Sequence, residues 1–183
     1  NGATFREEWF GREDDMNILA LPGISQKTEK WANALLAELA VEKSTVMVQH
    51  YLHWDCGDDQ CLKFAEEVER LRGMAVDLLV AKSLGTMIGL AACEAKLIAP
   101  RRAVLIGTPV SGFKENNMNL RQMADIGIPC LYIQQQDDIV GSAAALEKEI
   151  AGLVGVVLVR IPGDNHQYKD IKLLARHMRR WLA

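Results

Sequence analysis

A serine between two apolar runs is the residue of this chain best placed to do chemistry. Residues 76–80 read as a buried strand, and the apolar run after residue 85 reads as a buried helix. Ser83 stands between them in the pentapeptide Ala-Lys-Ser-Leu-Gly at 81–85, which differs from G-x-S-x-G only in its first residue. Small residues two positions before and two positions after the serine allow a turn sharp enough to leave its hydroxyl exposed. This pattern predicts a nucleophile at Ser83.

The same local pattern also occurs at ordinary strand–helix turns, where the serine only caps the helix. A serine hydroxyl is not ionised near neutral pH, so a nucleophilic serine needs a base within hydrogen-bond reach. Two later strand-like runs end in suitable residues. The run at 129–133 leads to Asp137 and Asp138, and the run at 156–159 leads to His166. The downstream sequence therefore favours the nucleophile over the cap.

The order serine, aspartate, histidine is that of the α/β-hydrolases. With the serine turn, it makes residues 16–183 resemble this superfamily, specifically its small, lidless serine hydrolases and esterases. The resemblance implies a three-layer, doubly wound α/β fold with six parallel strands in the order 2-1-3-4-5-6 and helices on both faces. It also implies cleavage of a small ester, thioester or amide through an acyl-enzyme, with Ser83, Asp138 and His166 as the catalytic triad.

The choice of acid depends on that resemblance. The turn that carries the acid in the family is typically G-x-x-D-x-x-V, and aligning it places Asp138 at the acid and Gln135 at the glycine. The neighbouring Asp137 remains the alternative acid, or it caps the turn. Asp164 is interpreted as a turn residue, and His177 as part of a solvated helix face.

An oxyanion hole is the other requirement of acyl transfer, and the resemblance implies two backbone N–H donors for it. One is the N–H of Leu84, directly after the nucleophile. The other comes from the loop after the first strand, where Ile24 is expected to donate and Ser25 is the alternative.

Residues 49–56 form a second concentration of polar groups, with two histidines, a carboxylate and a thiol. This composition raises a metal hypothesis, but the spacing H-x-x-H-x-D-C fits no standard zinc pattern, and we expect neither a metal nor a cofactor. A structural role and a place beside the active site are the alternatives. The residues expected to line the substrate pocket are His53, Trp54, Lys82 and Pro109.

Strands and helices alternate along the chain, which predicts parallel pairing with helices on both faces. The predicted strands cover residues 17–21, 45–49, 76–81, 103–107, 129–134 and 156–160. The predicted helices cover residues 27–40, 60–72, 84–97, 116–125, 142–153 and 169–182. Residues 108–116 are the only place left for even a short cap, so we expect an open, shallow pocket that suits short acyl groups.

Composition limits the class of protein. The 183 residues are 49% apolar and 25% charged with a net charge of −3, which fits one globular domain at 16–183 and gives no basic surface for nucleic acid. No apolar run reaches the length of a membrane span, and the first residues do not resemble a secretory signal. We therefore expect no nucleic-acid or membrane partner. The resemblance implies a small-molecule acyl substrate, and we expect a monomer or homodimer.

Two further expectations concern the cysteines and the N-terminus. Cys93 and Cys130 lie in apolar patterns that favour buried free thiols, whereas Cys56 and Cys61 flank an acidic loop and are close enough in sequence to pair. The pattern is not a disulfide framework, and we expect reduced thiols and a cytoplasmic protein. Residues 1–15 are interpreted as an N-terminal extension or a mobile arm.

A competing hypothesis is a binding or scaffold protein that keeps the fold without useful catalysis. The alanine at position 81 and the glutamine at position 135 depart from the family pattern and favour this alternative. The complete serine, aspartate and histidine set favours an enzyme.

Overall fold

A parallel sheet of six strands organises residues 15–183, the part of the chain that the computed structural model describes. The strands are β1 (Met16–Leu21), β2 (Ser44–Val48), β3 (Leu78–Lys82), β4 (Arg102–Ile106), β5 (Cys130–Gln135) and β6 (Val156–Ile161). Their order is β2-β1-β3-β4-β5-β6, and every neighbouring pair is parallel. The predicted strand order is confirmed. The proposed extension at 1–15 lies outside the described residues except for Asp15.

Burial explains why the central strands of the sheet appear in the sequence as apolar runs. Every residue of β3, β4 and β5 is buried, as expected for parallel strands covered on both faces. The edge strand β2 is largely exposed, with Val46 and Met47 about half accessible at 46% and 49%. Ser83 and Asp138 thus follow fully buried strands, whereas His166 follows the partly exposed edge strand β6.

Helices cover both faces of the sheet. They are α1 (Lys27–Leu39), α2 (Leu52–Cys56), α3 (Phe64–Glu69), α4 (Leu84–Glu94), α5 (Val110–Glu115), α6 (Leu120–Ala124), α7 (Ala143–Ile150) and α8 (Ile171–Leu182). Helices α1 and α8 pack on the face that receives Leu78 and Val80 of β3. Helices α4 to α7 contribute to the core on the opposite face, which receives Leu79 and Ala81. Successive residues of a strand therefore pack alternately into two hydrophobic cores, one on each face of the sheet.

The predicted helix at 60–72 is wrong in extent. The segment instead contains the end of a 3₁₀ turn at Asp59–Cys61 and the short α3, and it is preceded by α2, which was not predicted. Helix α2 ends at Gly57, whose φ of +70° is readily adopted by glycine, and the side chain of Asp58 accepts a hydrogen bond from the N–H of Gln60. These local signals end α2 and start the 3₁₀ turn, so regular α-helix resumes only at Phe64.

The segment at 108–116 is also different from the expectation of a loop. Residues 110–115 form α5, and the side chain of Phe113 is fully buried in the core. The segment is therefore packed into the domain and is not a flap over the sheet.

The expectation of reduced thiols is corrected at one pair of cysteines. Cys56 and Cys61 form a disulfide bond that joins the end of α2 to the 3₁₀ turn. Cys93 and Cys130 are free, as expected, and burial raises the pKa of each thiol to about 12. Both free thiols are therefore protonated and unreactive at physiological pH.

Across residues 15–183, none of the helices combines the length and the apolar character that crossing a membrane requires.

Candidate active site

The turn between β3 and α4 places Ser83 at the carboxyl edge of the sheet. Its backbone has φ 52° and ψ −118°, a region that side-chain-bearing residues seldom occupy, and its N–H bonds the carbonyl of Ile106 at 3.0 Å. A Cβ built on Gly85 would lie 2.0 Å from the backbone oxygen of Leu21, which no other residue can tolerate. The small residue two positions after the serine is thus required by the backbone at the end of β1.

Three side chains from three different strand ends meet at this turn. The Nε2 atom of His166 lies 2.8 Å from Oγ of Ser83. The Nδ1 atom of the same ring lies 2.9 Å and 2.8 Å from the two carboxylate oxygens of Asp138. A carboxylate can only accept, so Nδ1 carries the proton and Nε2 is left to accept the hydroxyl proton of Ser83. The arrangement can therefore remove a proton from the serine.

The surroundings of Asp138 keep it an anion. Its side chain is inaccessible to solvent, and it accepts hydrogen bonds from the N–H of Val140 at 2.9 Å and from Oη of Tyr168 at 2.7 Å. Burial acts to raise the pKa of Asp138, but the hydrogen bonds from His166, Tyr168 and Val140 outweigh it and lower the pKa below its ordinary value. Among residues 15–183, the neighbouring Asp137 is exposed and its side chain makes no hydrogen bond to the histidine.

Two supporting residues, Tyr168 and Gln135, were missed by the sequence reasoning. The hydroxyl of Tyr168 accepts a bond from the N–H of Gln135 at 2.9 Å while donating to Asp138. The Gln135 side chain accepts a bond from the N–H of His166 at 3.0 Å. His166 and Tyr168 both have positive φ, at 57° and 55°, so these bonds hold a loop that would otherwise be unfavourable. The only sequence signal was an aromatic residue two positions after the histidine.

Lys82 directly precedes Ser83 and contacts the backbone of His166. Its side chain is buried, its Nζ donates to the carbonyl of His166 at 3.2 Å, and its ammonium lies 5.6 Å and 5.7 Å from the ring centres of Trp31 and Tyr168. Burial lowers the pKa of Lys82 from its ordinary value of 10.5 to about 8, although the charge of Asp138 acts in the opposite direction. The lysine was expected to line the substrate pocket, and its 5% exposure leaves almost no surface for that.

The lowered pKa of Lys82 predicts a stability that rises with pH. Because the folded protein releases the proton of Lys82 near pH 8 and the unfolded chain releases it near 10.5, the unfolded state binds more protons between these values. We expect the free energy of unfolding, relative to Lys82→Met, to increase by about 2 kcal/mol between about pH 7 and about pH 10. Urea unfolding of both proteins at both pH values measures this difference. Parallel pH dependences in the two proteins would exclude the buried charge as its source.

The loop after β1 lies directly against the nucleophile. Leu21 pairs with Ala81 in the sheet, so the loops after β1 and β3 start side by side, and a Cβ built on Gly23 would lie 3.5 Å from Cβ of Ser83. Within residues 15–183, the N–H groups of Ile24 and Leu84 donate to no protein oxygen. Both predicted donors are therefore available to a ligand.

Comparison with solved structures identifies the architecture. A zinc-bound cold-adapted esterase from an Arctic intertidal metagenomic library is 17% identical, with a TM-score of 0.63 over 94% of this chain and 84% of that one. Est1E from Butyrivibrio proteoclasticus is 13% identical, with a TM-score of 0.64 over 94% of this chain and 89% of that one. Mouse α/β-hydrolase domain-containing protein 10 is 14% identical, with a TM-score of 0.63 over 91% and 89%. This chain has the α/β-hydrolase fold. No family model and no curated protein matches its sequence.

The α/β-hydrolase fold explains why residues far apart in sequence meet here. The carboxyl ends of parallel strands share one edge of the sheet, and β3, β5 and β6 lead to Ser83, Asp138 and His166 in turn. The loop after β1 reaches the same edge. At the identities found, the likeness extends to the fold, and the activity has to be argued from the site itself.

The other three residues predicted to line the substrate pocket, His53, Trp54 and Pro109, are buried in the structure. His53 and Trp54 are 2% and 7% exposed, and both direct a ring nitrogen at the carbonyl oxygen of Ile24. Pro109 is buried before the first turn of α5. These side chains therefore support the loops around the nucleophile and offer little surface to a substrate.

The metal hypothesis for residues 49–56 finds no support in the described part of the chain. Within residues 15–183, no three histidine, cysteine or carboxylate side chains are grouped to hold a metal ion. The groups that suggested a metal have other partners: His50 pairs with Asp55 at 2.8 Å, His53 contacts Ile24, and Cys56 is bonded to Cys61.

Proposed function

We propose that this protein is a serine hydrolase that cleaves small carboxylic esters, with Ser83, His166 and Asp138 as its triad. The observation that carries the proposal is the continuous hydrogen-bonded chain from Oγ of Ser83 through the ring of His166 to the buried carboxylate of Asp138. A serine that only capped α4 would bond the helix N-terminus, and the side chain of Ser83 makes no such bond. The strained turn at Ser83 is also explained by the need to present its hydroxyl.

The geometry supports a two-step reaction. As Oγ of Ser83 attacks the ester carbonyl, Nε2 of His166 takes the hydroxyl proton, and Asp138 stabilises the imidazolium. The carbonyl oxygen becomes an oxyanion, for which the N–H groups of Ile24 and Leu84 are the proposed donors. His166 then gives its proton to the departing alcohol, and the acyl group stays on Ser83. In the second step, His166 takes a proton from water, which attacks the acyl-enzyme, and Ser83 recovers its proton as the acid leaves.

Exposed apolar residues at the carboxyl edge of the sheet support a small, apolar substrate. Ile24, Leu52 and Ile139 follow the carboxyl ends of three strands and are 39%, 41% and 78% exposed. The segment after β4 is packed into the core, so residues 108–116 provide no flap to enclose a long chain. We propose that the enzyme takes short acyl groups, as an ester or, by the same steps, a thioester or amide.

The competing scaffold hypothesis depended on two departures from the family pattern. Ala81 is buried in β3 without displacing the nucleophile turn, and Gln135 bonds the backbone of the catalytic histidine. Since both residues fit the catalytic arrangement, neither favours an inactive protein. We propose a small-molecule acyl substrate, no nucleic-acid or membrane partner, and a monomer or homodimer. The cytoplasmic location loses the support of fully reduced thiols, because the Cys56–Cys61 bond is typical of oxidising compartments.

Covalent labelling and ester hydrolysis together test the proposal. We expect the folded protein to react with a fluorophosphonate, which requires an activated serine, and to hydrolyse p-nitrophenyl esters with rates that fall from butanoyl to dodecanoyl. A folded protein that neither labels nor hydrolyses any ester of the series would exclude the proposed function. Equal rates along the series would agree with a serine hydrolase but would contradict the proposed preference for short acyl groups.

A further inference from the structure

Aromatic residues that follow β2 bind the backbone of the loop after β1. The hydroxyl of Tyr51 donates to the carbonyl of Pro22 at 2.9 Å. The ring nitrogens Nε2 of His53 and Nε1 of Trp54 both contact the carbonyl oxygen of Ile24, at 2.7 Å and 2.6 Å. A carbonyl only accepts, so Nε2 of His53 carries a proton and donates it. The Ile24 carbonyl thus receives two side-chain donors, which is the full capacity of its lone pairs.

These bonds determine where the N–H groups of the loop point. In a trans peptide, the carbonyl of one residue and the N–H of the next point in opposite directions, and none of residues 15–183 has a cis bond. Fixing the Ile24 carbonyl therefore fixes the N–H of Ser25. The preceding carbonyl, that of Gly23, lies 2.9 Å from Oγ1 of Thr28, whose single proton is shared between this carbonyl and that of Ser25 at 2.5 Å. This shared contact restrains the N–H of Ile24. Both candidate oxyanion donors are thus oriented by carbonyls that other side chains hold.

The helix that carries His53 and Trp54 is itself anchored at both ends. Helix α2 has only five residues, too few to be stable alone. At its start, the N–H of Leu52 donates to the buried carboxylate of Glu67 at 2.6 Å. At its end, Cys56 is bonded to Cys61. A short helix fixed in this way is a rigid base for the two donors.

We propose that His53 and Trp54 are positioning residues that hold loop 22–25 in the geometry in which it stabilises the oxyanion. The inference rests on the proposed function. In it, the two side chains stabilise the transition state only by holding loop 22–25, and they do not contact the substrate. Their burial, at 1% side-chain exposure for His53 and 7% residue exposure for Trp54, agrees with such an indirect role. Loss of either donor should then reduce kcat while substrate binding is retained.

Four variants of this segment test the inference. Trp54→Phe removes the Nε1 donor and keeps an aromatic ring, and His53→Leu removes the Nε2 donor. His53→Gln restores an N–H at nearly the same distance from the backbone. Asp55→Asn is the matched control, because Asp55 lies on the same helix but has an exposed side chain that pairs with His50. For each variant, kcat and KM for a short p-nitrophenyl ester, hydrogen exchange of residues 22–25 and the free energy of unfolding are measured.

We expect Trp54→Phe and His53→Leu each to lower kcat about tenfold, with KM changed less than about twofold, and to accelerate exchange at 22–25. His53→Gln should recover most of the loss, and Asp55→Asn should match the wild type. Unchanged kcat in both donor-free variants, or a loss that His53→Gln does not recover, would overturn the inference. If the wild type hydrolyses no ester, the proposed function fails separately. Hydrogen exchange then decides the inference, and unchanged exchange at 22–25 in Trp54→Phe and His53→Leu would overturn it.

Discussion

Replacement of Ser83 by alanine is expected to remove fluorophosphonate labelling completely and to lower kcat for ester hydrolysis roughly 10⁴- to 10⁶-fold. The reason is that Oγ of Ser83 is the only atom in the proposed mechanism that bonds the acyl group, and it is the atom that Nε2 of His166 contacts. The substitution removes one oxygen at a turn that alanine can occupy as readily as serine. The fold should therefore be retained, and labelling, kcat and the circular dichroism spectrum can be measured on the same sample.

Ser44→Ala is the matched control for that experiment. Ser44 lies at the start of β2, at the opposite edge of the sheet, where its hydroxyl bonds the carbonyl of Val41. Its replacement should leave labelling and turnover at the wild-type level. Residual activity of Ser83→Ala within tenfold of the wild type would show that another group is the nucleophile.

Asp138→Asn is expected to lower kcat roughly 10³- to 10⁴-fold, whereas Asp137→Asn should change it less than about twofold. The carboxylate of Asp138 accepts bonds from three donors, on His166, Tyr168 and Val140. An asparagine amide would direct its own N–H groups at one or more of these donors, and the ring of His166 would lose the tautomer that the reaction needs. Asp137 is exposed and has none of these partners.

The pair of aspartate variants therefore decides which carboxylate orients the histidine. Both substitutions remove one negative charge within two adjacent positions, so a general electrostatic effect would lower the two rates alike. A larger loss for Asp137→Asn than for Asp138→Asn would contradict the assignment. The thermal midpoint of each variant shows whether a lost rate reflects a lost fold.

Much of the architecture was readable from the sequence because it depends on local patterns. The central strands are buried on both faces and appear as apolar runs, and alternation with helices allows few arrangements other than a doubly wound sheet. Ser83, Asp138 and His166 each follow such a run. The sequence alone therefore predicts that the three side chains meet at the carboxyl edge of the sheet. The strand order came from the resemblance and not from the runs themselves.

Contacts between segments that lie far apart in the chain could not be predicted from the sequence. The bonds from Tyr168 to Asp138 and from Trp54 to Ile24 span 30 residues each, and no spacing rule indicates them. From the sequence, Lys82 was interpreted as a polar residue beside the nucleophile. Only its contacts with the rings of Trp31 and Tyr168 show that its side chain points into the protein. The shortening of the predicted helix at 60–72 to α3 was missed for a related reason, since the 3₁₀ turn and the Cys56–Cys61 bond occupy its first residues.

The close approach of Gly85 to the end of β1 has a consequence for altering what this protein accepts as a substrate. Because the first turn of α4 and the backbone of Leu21 touch, the two loops proposed to bind the oxyanion cannot move independently, and mutations there would disturb both. Ile139, in contrast, is 78% exposed and adjoins the triad acid without taking part in its hydrogen bonds through its side chain. Directed evolution of new specificity should therefore start from libraries at Ile139 and Leu52, and it should leave residues 22–25 and 81–85 unchanged.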